Sequence, residues 1–183
     1  DVWWPYLGRD CEAIVVTASG CGVMVEDYGH LLSEDADYAH KAARVSLLAC
    51  DIAEIIAAEQ EKLRIILQDA PRPASAVRIA FQSPCTLQHG QKINDVVETL
   101  LRSAGFELTP VADSHLCCGS AGAYSLLQPA LSQRLRDNKL ASLQAGAPQT
   151  IVTANIGCLT HLQSGTALPV RHWIEALAGR LDQ

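Results

Sequence analysis

The chain has 183 residues, 49% hydrophobic and 19% charged, a composition that builds one sizeable core and excludes a disordered segment. Its 14 basic against 20 acidic residues leave a net charge of −6 with no basic run, which argues against a nucleic-acid partner. Seven cysteines are too few for a small disulfide scaffold, and Asp1-Val2-Trp3-Trp4 has no signal-peptide pattern, so a reducing, cytoplasmic setting is expected.

In chain order, Ile14-Val15-Val16-Thr17-Ala18 reads as a buried parallel strand. Gly20-Cys21-Gly22 is expected to break it, and a helical pattern follows through Val23, Tyr28, Leu31 and Leu32. Ala39 to Leu48 predicts a helix, and Ile52, Ile55, Ile56, Leu63, Ile66 and Leu67 recur at helical spacing. Pro71-Arg72-Pro73-Ala74-Ser75 is the one linker-like stretch, so a boundary is placed at 71–75. Beyond it the expected strands are Val77 to Phe81, Phe106 to Val111 and Ile151 to Ala154. The expected helices are Ile93 to Ala104, stopped by Gly105, then Pro129 to Ala145, and Val170 to Leu181. Strands alternating with helices imply an α/β fold with a mostly parallel sheet.

A weak internal repeat runs through this pattern. Val16-Thr17-Ala18-Ser19-Gly20-Cys21 matches Val152-Thr153-Ala154-Asn155-Ile156-Gly157-Cys158 with one residue inserted, and Asp51-Ile52-Ala53-Glu54 matches His172-Trp173-Ile174-Glu175. Residues 1–70 therefore read as the closing half of a first module, and 76–183 as a complete second one. The first copy is expected to be incomplete and the chain, which does not begin with Met, a piece of something longer.

Cys85, Cys117, Cys118 and Cys158 each fall where an expected strand ends and a helix is about to begin. In a parallel sheet those turns share the carboxyl edge, where ligands bind. Helix N-termini there favour the thiolate, and four thiolates suit Zn²⁺ or an iron–sulfur cluster. Adjacent Cys117 and Cys118 do not easily share one small tetrahedral ion but can bind different irons of a cluster. His161, three residues after Cys158, is a candidate further ligand or outer-sphere donor. Cys21 corresponds to Cys158 by the repeat, and its co-ligands would lie in the absent half-module. Cys11 and Cys50 read as packing residues, and His89, His115 and His172 as surface or satisfied core histidines, with His115 the best ligand candidate of the three. No catalytic triad, carboxylate pair, dinucleotide glycine motif or P-loop is present.

Ser83-Pro84-Cys85-Thr86-Leu87-Gln88-His89, His115-Leu116-Cys117-Cys118-Gly119-Ser120-Ala121-Gly122 and Asn155-Ile156-Gly157-Cys158-Leu159-Thr160-His161 together resemble the cysteine-rich "CCG" domain of heterodisulfide reductase B subunits. The flanking words, with Val170-Arg171-His172-Trp173-Ile174-Glu175, are most similar to the iron–sulfur subunits of the glycolate oxidase (glycolate dehydrogenase) family. The resemblance implies a duplicated α/β CCG module and an electron-transfer role beside flavoprotein subunits that oxidise glycolate. It also implies 4Fe-4S clusters in the full subunit and peripheral contact with the inner face of the cytoplasmic membrane. The ferredoxin cysteine runs of such subunits are absent from this sequence, so this chain is expected to be non-catalytic alone, and apo when handled in air. The resemblance also implies a terminal Cys-x-x-Cys, where this chain has Cys158-Leu159-Thr160-His161. That change leaves a different cluster or zinc open. The alternatives are a structural zinc or interaction module and a heterodisulfide reductase-like thiol–disulfide enzyme acting through Cys117-Cys118.

Overall fold

A computed structural model describes residues 1–8, 10–70 and 75–181. Except for Ser75, the linker placed at 71–75 lies outside the described residues. The chain opens with β1 (Ile14–Val16), α1 (Ser19–Glu26), α2 (Tyr28–Leu31) and α3 (Ala39–Leu48). It continues through β2 (Ala49–Asp51), α4 (Ile52–Ala58) and α5 (Gln60–Asp69). After these come β3 (Arg78–Gln82), a π-helical turn (Thr86–Gly90), α6 (Val96–Ser103) and β4 (Glu107–Leu108). The last elements are α7 (Tyr124–Leu127), α8 (Pro129–Gln144), β5 (Thr150–Thr153), α9 (Ile156–Gln163), β6 (Val170–His172) and α10 (Trp173–Leu181).

All observed strand pairs are parallel, in a two-stranded sheet β1-β2 and a four-stranded sheet β4-β3-β5-β6. This is the expected mixed α/β class. The four-stranded sheet is covered on both faces, as parallel sheets must be. Ile79, Phe81, Val152 and Ala154 point to one side, into a core with Leu100, Leu101, Trp173 and Leu177. Ala80 and Ile151 point to the other, into a core with Leu140, Leu143, Cys118 and Cys158. Ala53 and Leu63 of α4 and α5 belong to the first of these cores, so apolar packing runs across the position of the linker.

Several elements differ locally from the sequence expectation. Val170 to Leu181 is not one helix, because Val170–His172 adds to the sheet beside Ile151–Thr153 before the helix starts at Trp173. β2 carries too few residues for an alternation to be read, yet it pairs along its full length with β1. Gly20-Cys21-Gly22 lies inside α1, where Gly20 and Gly22 let Asn155 and Gln91 approach the helix. The strand expected to Val111 ends at Leu108, just before Pro110, which has no N–H to continue a ladder. The helix expected from Ile93 begins at Val96, since Asp95 takes a left-handed φ of 61°.

The two strands that run directly into a helix, β2 and β6, end in the same device. Asp51 accepts the Ala53 N–H through Oδ1 at 2.8 Å, and Glu54 accepts the Asp51 N–H at 2.9 Å. His172 accepts the Ile174 N–H through Nδ1 at 3.3 Å, and Glu175 accepts the His172 N–H at 3.1 Å. With Nδ1 accepting, the His172 Nε2–H donates to the Thr17 carbonyl at 2.7 Å and ties the two sheets together. Burial is the main cause that pushes the His172 pKa down, against the Thr17 carbonyl and Glu175. Folding therefore favours the neutral ring, and this contribution is complete above the ordinary histidine range and lost as pH falls through it. Urea-unfolding free energies should fall between pH 7 and pH 5 by more in the wild type than in His172→Gln; equal slopes would show that His172 does not titrate against the fold.

Candidate metal centre

The carboxyl edge of the four-stranded sheet is where the chemistry-bearing side chains meet. Beneath it, Thr153 donates to Gln82 at 2.6 Å, a buried bond joining the ends of β5 and β3. Cys85 follows β3 and leads into the π-helical turn. Cys158 is the third residue of α9, whose start Asn155 caps by accepting the Gly157 N–H at 3.2 Å. Cys117 and Cys118 come from the long connection between β4 and α8, with Cys118 and Cys158 both buried.

The four expected cysteines are brought into successive contact. The Cys118 thiol donates to Cys158 Sγ at 3.0 Å. That is a contact between free thiols, well beyond the roughly 2.05 Å of a disulfide and inside the roughly 3.8 Å between two thiolates on one zinc ion. Cys118 first, then Cys85, holds the Cys117 thiol well below its ordinary range, helped by the Gly119 N–H at 3.3 Å. Cys117 in turn pushes Cys118 up, with Cys158 and burial adding to it. Cys85 is raised by Cys117 first and burial second. Cys117 is thus the thiol of this row that its neighbours favour as a thiolate, and Cys85 and Cys118 are shifted the opposite way.

His161, one turn beyond Cys158, reaches Ser132 Oγ through Nε2 at 3.1 Å. The Ser132 hydroxyl has one proton and donates it to the Gly119 carbonyl at 2.7 Å, so His161 Nε2–H is the donor to Ser132. Cys21 is exposed and occupies the third position of α1, as Cys158 does on α9, but it is not among the contacting four. Cys11 and Cys50 point to the carbonyls of Ala13 and Ile14, and His115 and His89 are exposed.

Two contributors were not singled out from the sequence. Lys139, only 2% exposed, donates to the Ser114 carbonyl at 2.7 Å and the Asp113 carbonyl at 3.3 Å. Burial lowers its pKa, opposed by Cys118, Cys117, Cys158 and Asp113 in that order. Ser132 is fully buried. Their spacing of seven, with Leu140 and Leu143 on the same stripe of α8, is the periodic signal that could have marked both as inward-facing.

Among the described residues, no three His, Cys, Asp or Glu side chains close around a point that would suit a single metal ion. The thiols instead contact one another in sequence, Cys85–Cys117–Cys118–Cys158, an all-sulfur set beside a buried ammonium. A soft donor set that is extended rather than convergent, and compensated by a cation, fits an anionic iron–sulfur cluster better than one ion.

Residues 79–163 match the family of the cysteine-rich domain, CCG. Over its whole length the chain is 51% identical to the glycolate oxidase iron-sulfur subunit of Escherichia coli, covering 43% of that protein. It is 28% identical over 85% of its length to the probable glycolate oxidase iron-sulfur subunit of Bacillus subtilis, covering 34% of that protein. Lactate utilization protein A of Bacillus licheniformis is 23% identical over 94% of this chain, which covers 72% of that relative. The chain thus spans less than half the length of the two iron–sulfur subunits it matches.

Proposed function

We propose, from the match of residues 79–163 to the cysteine-rich domain, CCG, that Cys85, Cys117, Cys118 and Cys158 hold an iron–sulfur cluster of the 4Fe-4S type. The observation that carries the reading is the meeting of these four thiols, from three separate parts of the chain, at one sheet edge, with Cys118 and Cys158 3.0 Å apart. Such a cluster supplies one-electron carriage when bound. The chain's own residues supply thiolates, exclude water around Cys118 and Cys158, and orient the adjacent pair through Gly119. His161 acts on this site through Ser132.

The chain then serves as part of the electron-transfer subunit of a glycolate-oxidising dehydrogenase, with flavoprotein subunits as partners. The 51% identity to a subunit of that name supports this. Among the described residues no helix is long and apolar enough to cross a membrane. A cytoplasmic place at the inner face of the membrane, held through partner subunits, follows from the role. We also divide the chain into 1–70, the closing half of a first CCG module, and 76–183, a complete second one. The matched strand-end caps at Asp51 and His172 and the matched helix positions of Cys21 and Cys158 support that division. Cys21 is then a ligand of the first module's site.

Anaerobic reconstitution of the full chain with ferrous iron and sulfide should load about four irons with matching acid-labile sulfide, and give an EPR signal in one redox state. Cys158→Ser should lose most of that iron, since a hydroxyl replaces one thiolate. One zinc per chain without sulfide would establish the structural-metal alternative instead. Thiol–disulfide turnover abolished by Cys117→Ser would establish the heterodisulfide reductase-like alternative.

A further inference from the structure

We infer that Ser132 and Lys139 are positioning residues for the Cys117–Cys118 turn, gripping from one face of α8 both ends of the segment that presents the adjacent cysteines. The two lie seven residues apart, two helical turns, on the buried stripe of α8. Lys139 takes the segment on its way in, through the Ser114 and Asp113 carbonyls. Ser132 takes it on its way out, through the Gly119 carbonyl, while its oxygen accepts from His161. The Ser114 carbonyl is also reached by Gln88, at 3.3 Å, from the turn that follows Cys85. The span between the two grips, residues 115–118, contains the two cysteines and no regular secondary structure.

A lysine is rarely sequestered to this degree without a role for its charge. Here its donors fall on carbonyls, so the ammonium is not neutralised by a carboxylate in direct contact. A net positive charge therefore remains next to a site that carries thiolates. Ser132 does the complementary, uncharged part of the work. Its hydroxyl fixes the Gly119 carbonyl. For its redox arm the inference rests on the iron–sulfur reading; for its positioning arm it does not.

The test uses the full chain with Ser132→Ala, Lys139→Met and Lys139→Arg. In the reduced, metal-free protein, amide hydrogen exchange over residues 113–120 should rise about tenfold or more in Ser132→Ala and Lys139→Met, with α6 and β5 unchanged. After anaerobic iron and sulfide loading, Lys139→Met should retain iron about 10-fold less well and show a lower reduction potential, and Lys139→Arg should restore the potential. Unchanged exchange over 113–120 in both Ser132→Ala and Lys139→Met overturns the positioning role. Should Lys139→Met fail to fold, Ser132→Ala alone decides that arm. Equal potentials in Lys139→Met and wild type overturn the charge role and leave Lys139 a mechanical pin. A wild-type chain that takes up no iron refutes the iron–sulfur reading, while the exchange arm still decides the positioning role.

Discussion

Gly119→Ala is expected to destabilise the chain by roughly 3–5 kcal/mol and to abolish cluster loading, whereas Gly122→Ala, three residues on, should cost only about 1 kcal/mol. Both glycines have positive φ, +90° at Gly119 and +58° at Gly122. They differ in what a methyl group would meet. A Cβ at Gly122 would find nothing within 4 Å. At Gly119 it would fall 2.3 Å from the Ser132 carbonyl oxygen, 3.1 Å from Leu135 Cβ and 3.2 Å from His161 Nε2. The first of these is backbone of α8 and cannot swing aside, so the turn must move away from the helix. That movement breaks the Ser132–Gly119 hydrogen bond and withdraws Cys117 and Cys118 from Cys85 and Cys158. Urea unfolding and the iron-to-protein ratio after anaerobic loading measure the two effects. Equal costs at the two glycines would show that backbone φ, and not the close approach of α8, makes Gly119 necessary.

Asp51→Asn is expected to stabilise the chain by about 1–2 kcal/mol at pH 8 and to lose that advantage by pH 4. Asp51 is 1% exposed, and its Oδ2 has no hydrogen-bond partner among the described residues. Burial is the main cause that raises its pKa from the ordinary 3.8 to about 6, with Glu54 and Glu26 adding to it and the Ala53 N–H opposing. A folded pKa above the unfolded one means that the native state holds the proton more tightly. The favourable contribution is thus complete below about pH 4 and lost as pH rises through 6, leaving a buried carboxylate at a cost on the order of 2–3 kcal/mol. Asparagine keeps an oxygen to accept the Ala53 N–H, so the cap survives while the charge goes. Denaturant unfolding at pH 4, 6 and 8 checks this. A difference between the two proteins that does not change with pH would locate the effect in the cap and not in the charge. The trend opposes that of His172, which weakens the fold on acidification, so the two effects partly offset each other in the wild type between pH 4 and pH 7.

Much of the site was legible before any coordinates because its signals are local. Cys85, Cys117, Cys118 and Cys158 sit beside turn residues, Pro84, Gly119 and Gly157, that end strands or open helices. A parallel α/β order then sends every such turn to one edge. The match between Asp51-Ile52-Ala53-Glu54 and His172-Trp173-Ile174-Glu175 was equally visible, because a capping box is written within four residues. This legibility failed at the two strands that run directly into a helix. β2 and β6 have three residues each, too few for any period, and they exist because a neighbouring strand offers a free edge.

Periodicity and turn chemistry act over a few residues, and that range sufficed for the α/β class, the parallel sheet and the four cysteines that meet at one sheet edge. That Cys118 meets Cys158, that His161 bonds Ser132 and that Lys139 lies beneath the cysteine turn emerges only from long-range packing. Those outcomes depend on which side chains another part of the chain covers. A lysine on an amphipathic helix reads as solvated until a loop some 25 residues earlier in the chain is laid across it and offers two carbonyls for its charge.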